Sequence, residues 1–187
     1  MSRLKLGLFI AAVVCLLLPL PSQAASVAYV KIEGTKQGTF KGESAGSIGK
    51  DWIAVLAFSY EVKSPQDATT GQASGKRQHN PVVITKQIDS TSPQIYQAIV
   101  NNEVLTRVTI EFLTPQADGT QKVYYTITLT NVTVTDVHQH MDQLVPIPTG
   151  TNPLAIEPME DVSFAFQSIE VVSAAGQTSA LDSWTTP

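Results

Sequence analysis

Between Val82 and Asn102 the chain reads VVITKQIDSTSPQIYQAIVNN, a strand-like run that passes through a polar turn directly into a helix. No other stretch restricts the fold as tightly. The β-branched run Val82 to Ile88 breaks at Asp89-Ser90-Thr91-Ser92. Ser92 is placed as an N-cap, where its hydroxyl can accept from the orphan N–H groups of a first turn. Pro93 then falls at the first helical position, where its fixed φ and missing N–H carry no penalty. Ile95 and Ile99, with Tyr96 and Val100, recur at helical spacing and predict one apolar stripe. Asn101-Asn102 supplies a left-handed stop. The rest of the chain after residue 24 reads as strand or loop. A single helix with an apolar stripe needs a sheet to lie on, so the expected fold is mainly β.

The first 24 residues are read as a segment apart from that fold. Arg3 and Lys5 precede a nearly unbroken apolar run, Leu6 to Leu18, and Ser22-Gln23-Ala24 places small residues at a cleavage site. That pattern is a secretory signal peptide; a membrane span needs about 20 apolar residues, and this run is shorter. Cys15 lies inside the run after Val13-Val14, a context unsuited to lipidation. Cleavage leaves residues 25–187 as one domain without cysteine, hence without disulfides, a thiol nucleophile or a cysteine metal site. It removes Arg3 and Lys5 and no acidic residue, taking the formal charge from −4 to −6. An acidic exported domain is poorly suited to nucleic acid or to anionic membrane.

The 43% hydrophobic content supports one packed core. Val27 to Glu33 is a first strand candidate. Trp52 to Val62 is the strongest: Trp52, Ala54, Leu56, Phe58, Tyr60 and Val62 alternate with Ile53, Val55 and Ala57, so both faces are apolar and both expect cover. Lys63 to Pro81 is a long polar loop with a basic patch at Lys76, Arg77 and His79, a length that usually binds something or is disordered. Val104, Val108, Ile110 and Phe112 share one face of a strand, and Pro115 to Gly119 forms a hairpin turn. The apolar phase slips near Thr130-Asn131 and again between Phe166 and Ile169, the first slip predicting a β-bulge. Gln139 to Asp161 is a proline-bearing loop, and Ser173 to Pro187 a polar tail containing Trp184. Two strands that change face fit a small closed β-barrel of antiparallel strands, about seven or more, with one short α-helix packed outside and a long extended loop.

One constellation could bind metal. Asp136, His138, His140 and Asp142 share a face of an extended chain. The two histidines would lie about 6.6–6.8 Å apart at strand rise, so a shared ion needs suitable rotamers and a third ligand from elsewhere. The alternative is a polar strand end running into a loop, and no metal or other cofactor is assigned. No Gly-x-Ser-x-Gly elbow, phosphate loop or His-Glu-x-x-His helix occurs. The chain does not read as an enzyme.

The order of features resembles the haemolysin-coregulated protein (Hcp) family, the tube protein of the bacterial type VI secretion system. The matching pieces are Tyr29–Gly34 (YVKIEG), Phe40–Ser44 (FKGES), Ile53–Tyr60 (IAVLAFSY), Val83–Ala98 (VITKQIDSTSPQIYQA), Tyr125–Val134 (YTITLTNVTV) and Glu160–Val171 (EDVSFAFQSIEV). The resemblance implies a barrel that assembles into homohexameric rings, stacked into a hollow tube that carries secreted effector proteins. It implies subunit contacts through Trp52, Leu56 and Phe58, through Lys76 and Arg77 of the long loop, and through Pro93, Ile95 and Tyr96 of the helix. Two features depart from the family: the signal peptide, and proline where the 139–161 loop is usually glycine-rich. The expected protein is therefore secreted or periplasmic and structural, without a membrane contact once the leader is cleaved. An exported monomeric module that binds a partner through its loops is the alternative, and a metal-dependent enzyme using His138 and His140 a third.

Overall fold

The structure, a computed structural model, describes residues 27–43, 48–116, 118–141 and 158–184. The signal-peptide reading, Cys15, Asp142 and most of the proline-bearing loop lie outside them. The described chain is mainly β with one short helix.

The sheet is built on β1 (Val27–Gly34), which pairs antiparallel with β8 (Leu105–Pro115) and, at its far end, with the short β2 (Gly38–Thr39). β8 leads into β9 (Gln121–His140), β9 pairs with β10 (Met159–Ser173), and β10 pairs with β7 (Val82–Gln87). The predicted polar tail is instead β11 (Thr178–Ser183), hydrogen-bonded along β10 from Ser173↔Thr178 to Ser168↔Ser183. Composition concealed it because its residues are mostly polar and mostly exposed, held by backbone pairing rather than by side-chain burial.

The segment expected as one strand, Trp52–Val62, is broken. β3 (Ile53–Val55) pairs with β1, whereas β4 (Ala57–Ser59) pairs with β7. The N–H of Leu56, between them, donates to the carbonyl of Thr85 at 2.8 Å. The apolar phase flips at this change of partner. Ile53 and Val55 face the core before it, Phe58 and Tyr60 pack against the core after it, and Leu56 is 56% exposed. Leu56 and Trp52 therefore do not share the face of Phe58.

The phase slips in β9 and β10 belong to one bend that crosses three strands. Leu105, Val132 and Phe166 form one buried row, and Val108, Leu129 and Ile169 the next, three residues further along each strand. Asn131, at φ 50°, turns the chain there, and its amide donates to Gln167 Oε1 at 2.6 Å. Asparagine tolerates this left-handed region better than most residues. The pairing stays aligned through the bend, so the slip inserts no extra residue. The register shifts fall elsewhere, at Phe112/Leu113 against β9 and at Ser163/Phe164 of β10. Just before β8 the structure exposes Val104, and the strand begins with Leu105 buried in its place.

The helix α1 (Ser92–Val100) buries Ser92, Ile95 and Ala98 and exposes Tyr96 and Val100. The stripe is thus 92/95/98, with Ile99 beside it. Thr91, not Ser92, is the N-cap, and no side chain caps the helix. Asn102, at φ 48°, supplies the left-handed stop. The long loop folds back on itself as β5 (Val62–Lys63) paired with β6 (Gln78–His79), making a short second sheet. At its tip Asp67 Oδ1 accepts the N–H groups of Thr69 and Thr70 at 2.9 and 2.8 Å.

Candidate functional site

The strand–turn–helix at Val82–Asn102 is held by a buried ionic knot. Lys86 is fully buried on β7. Its Nζ donates to Glu160 Oε1 at 2.8 Å, to Asp89 Oδ1 at 2.8 Å and to the carbonyl of Gln87 at 2.7 Å. The Ser92 hydroxyl donates to the same Glu160 oxygen at 2.7 Å and accepts from the N–H of Asp89 at 3.0 Å. Gln139 donates to the second oxygen of Glu160 at 3.0 Å. Ser92 misses its expected capping role because its hydroxyl is drawn inward to this carboxylate. The knot is chemically closed: its polar atoms bind one another across β7, β9, β10 and α1.

Just past α1, Glu103 is buried and accepts the N–H groups of Lys36 and Gln37 at 2.7 and 2.9 Å and the Gln37 amide at 2.9 Å. Burial by itself would raise its pKa. The donors from Gln37 and Lys36 outweigh that and hold it below the usual 4.5. Gly34 leaves room for this arrangement, since a Cβ would sit 2.5 Å from Glu103 Oε1 and push the carboxylate off its donors.

A second ionic cluster ties the β5–β6 arm to β11. Arg77 grips both oxygens of Asp182 and donates to the carbonyl of Ser183 at 2.9 Å. His79 Nε2 lies 2.9 Å from Asp182 Oδ2, and its Nδ1 lies 2.6 Å from the Tyr60 hydroxyl. The imidazole stacks on Tyr60 and meets Phe166 and Trp184 edge-on. Hydrogen bonding to Arg77 holds the Asp182 carboxyl below its usual range, while burial and then the Asp182 charge push the Tyr60 hydroxyl up.

The residues expected at subunit contacts divide by exposure. Leu56, Tyr96, Pro93 and Lys76 are exposed, and Leu56 lines a groove of about 180 Å³ with Glu43, Ala54, Gln87 and Asp89. Trp52 is half-buried. Phe58 packs edge-on against Phe112 at 5.2 Å. Ile95 is fully buried, so it anchors the helix and cannot itself reach a second molecule. Arg77 is engaged within its own chain. The sequence alone puts Val104 on the face of Val108 and Trp184 in a polar tail and passes over Leu181; these apolar residues are exposed at 43%, 55% and 73%.

Of the four candidate metal ligands, His138 and His140 converge, but with Asp161 of the neighbouring strand rather than with Asp136. Asp161 carried no signal in the sequence because its position depends on the β9–β10 register.

An antiparallel β protein with one helix among its described residues, and with two ionic clusters committed to holding its own helix and arm, is the class these features define. Residues 29–172 match the family described as "Type VI secretion system effector, Hcp". The "Major exported protein" of Pseudomonas aeruginosa is 35% identical over 172 residues, spanning 87% of this chain and 98% of that protein. Among solved structures, "Secreted protein Hcp3 from Pseudomonas aeruginosa" is 32% identical, with a TM-score of 0.67 over 87% of this chain and all of that one. A "Crystal structure of Hcp protein", 24% identical, aligns with a TM-score of 0.74 over 87% of this chain and 100% of that one, a likeness of fold. The chain belongs to the Hcp family of type VI secretion system effectors, which are exported proteins. Among the described residues no helix is long and apolar enough to cross a membrane.

Proposed function

We propose that this protein is an exported structural subunit whose sheet closes into a barrel, whose barrels form hexameric rings, and whose rings stack into a hollow tube for effector proteins. Closure is supported by the divided segment Ile53–Ser59, which pairs with β1 through its first half and with β7 through its second. The observation that carries the ring is apolar surface left uncovered on a member of this family. Tyr96 and Val100 stand one turn apart on the outer face of α1, and Leu56 protrudes where the strand changes partner. Pro93 and the buried Ile95 belong to the same helix, and Trp52, Phe58 and Lys76 join the contacts by family resemblance, Lys76 from a separate cleft it lines with Arg77, His79 and Trp184. Residues 1–24 act as a cleaved leader and 25–187 as the single working domain. The role is non-enzymatic and needs no cofactor.

A monomeric binding module is the second reading. It is favoured by one observation, that Arg77 of the arm is bound to Asp182 of the same chain rather than presented outward. Native mass spectrometry of residues 25–187 with negative-stain imaging separates the two. A six-subunit mass with annular particles is expected, and Leu56→Asp or Tyr96→Asp is expected to shift that mass to monomer without altering the circular dichroism spectrum. A monomer at high concentration sinks the ring.

A further inference from the structure

We propose that His138, His140 and Asp161 form a binding site for a divalent transition-metal cation of the zinc class, joining the end of β9 to the start of β10. The site is independent of the ring proposed above. Two adjacent rows cross β7, β10 and β9. Lys86, Glu160 and Gln139 lie on the buried face, and Thr85, Asp161 and His138 on the opposite, accessible one. The period-2 alternation of strands puts His140 on the face of His138, one diagonal from Asp161.

The two imidazole rings lie stacked, with centroids 5.3 Å apart and planes 19° apart, so their nitrogens stand side by side. His140 Nε2 is 3.6 Å and His138 Nδ1 is 4.0 Å from the same oxygen, Asp161 Oδ2, and one ligand atom from each residue falls within 4.8 Å of the others. Metal–nitrogen bonds of about 2.0–2.1 Å in a tetrahedral site place neighbouring ligand atoms roughly 3.3 Å apart. Small side-chain rotations therefore close the set around one ion. Asp161 is already oriented, because its other oxygen accepts the Thr85 hydroxyl at 2.5 Å. A hydrogen-bonded ligating carboxylate is the usual outer-sphere arrangement of metal sites.

The donor set selects the cation. Two imidazoles and one carboxylate suit zinc, copper or nickel, whereas magnesium and calcium require a shell of oxygens. The His138 side chain is 64% exposed, so the ion has an entry path and a position left for water. Its structural effect would be to staple the two strand ends that flank residues 142–157.

Isothermal titration of the purified, untagged protein with zinc chloride tests the site, with magnesium chloride as control. One zinc per chain and no magnesium heat are expected. His138→Ala and Asp161→Asn should each weaken zinc binding at least tenfold, and Thr85→Val by about tenfold through the lost orienting bond. Asp136→Asn should leave it unchanged. Absence of zinc binding, or wild-type affinity in His138→Ala, overturns the proposal. Because His138 is exposed, that variant is expected to fold even where a substitution at the more buried His140 does not. Slowed amide exchange confined to the ends of β9 and β10 on adding zinc gives a readout independent of affinity.

Discussion

Two ionic clusters hold the helix α1 and the β5–β6 arm to the main sheet, and they differ in what surrounds them. The knot of Lys86, Asp89, Ser92 and Glu160 ties α1 to the sheet with the lysine and glutamate side chains at 0% exposure. The cluster of Arg77, His79 and Asp182 ties the arm to β11 with its arginine and aspartate about one-third exposed, 34% and 29%. Burial makes the first cluster indispensable once formed, since a lost partner strands a charge away from water. Solvent reaches the Arg77–Asp182 pair of the second and makes that pair adjustable, since water and salt replace what is removed there, while the His79 side chain stays 7% exposed. The helix is thus fixed as part of the fold, and the arm is attached in a way that can be released.

The sharpest break of this comparison is Lys86→Met. It leaves Glu160 buried with only Ser92 and Gln139 to stabilise its charge, and a loss of about 3–5 kcal/mol in urea denaturation is expected. Replacing Glu160 by leucine in the same chain should recover most of that loss, because no buried charge then remains unpaired. A single variant with wild-type stability would show that the lysine is not desolvated as the geometry requires.

Glu103 sharpens the buried side of the comparison with pH. Its carboxyl is held below the usual 4.5 in the folded chain. The stability it contributes is therefore complete above the unfolded value and is lost as pH falls through the lower folded value. The wild-type denaturation midpoint should fall on acidification from about pH 5 to about pH 3, and Glu103→Gln should flatten that part of the curve. At neutral pH the same substitution should cost about 1–3 kcal/mol, since Lys36 and Gln37 keep only a weaker acceptor. An unchanged slope below pH 5 would remove Glu103 as an anchor.

What the sequence disclosed follows the same division. The strand–turn–helix at Val82–Asn102, the face changes in β9 and β10 and the mainly β class are local patterns, and local periodicity reports them. Lys86 with Glu160, and Arg77 with Asp182, lie 74 and 105 residues apart and depend on which strands become neighbours. Trp52–Val62 failed as one strand for a related reason. Apolar residues on both faces say that both are covered, but not where the chain exchanges β1 for β7. Helix polarity misled in the same way: Tyr96 and Val100 fit an apolar stripe, whereas the buried stripe includes Ser92, a polar residue whose hydroxyl is satisfied by Glu160 and Asp89.

The smallest effect is expected from the partly exposed cluster, and it should be local. Arg77→Ala removes the grip on Asp182 and the bond to the Ser183 carbonyl, while β10, β7 and the core keep every contact they have. The global unfolding midpoint should hold, and amide exchange in β5, β6 and β11 should rise about tenfold, a sub-global opening of the arm. High salt should produce part of the same rise in the wild-type protein and little further change in Arg77→Ala. Acidification should act in the same direction: Asp182 is held below its usual 3.8, so its contribution is present above that value and lost as pH falls through the lower folded one. If the exchange increase spread into β9 and β10, the arm would be part of the same cooperative unit as the helix knot. The contrast between a fixed helix and a releasable arm would then fail.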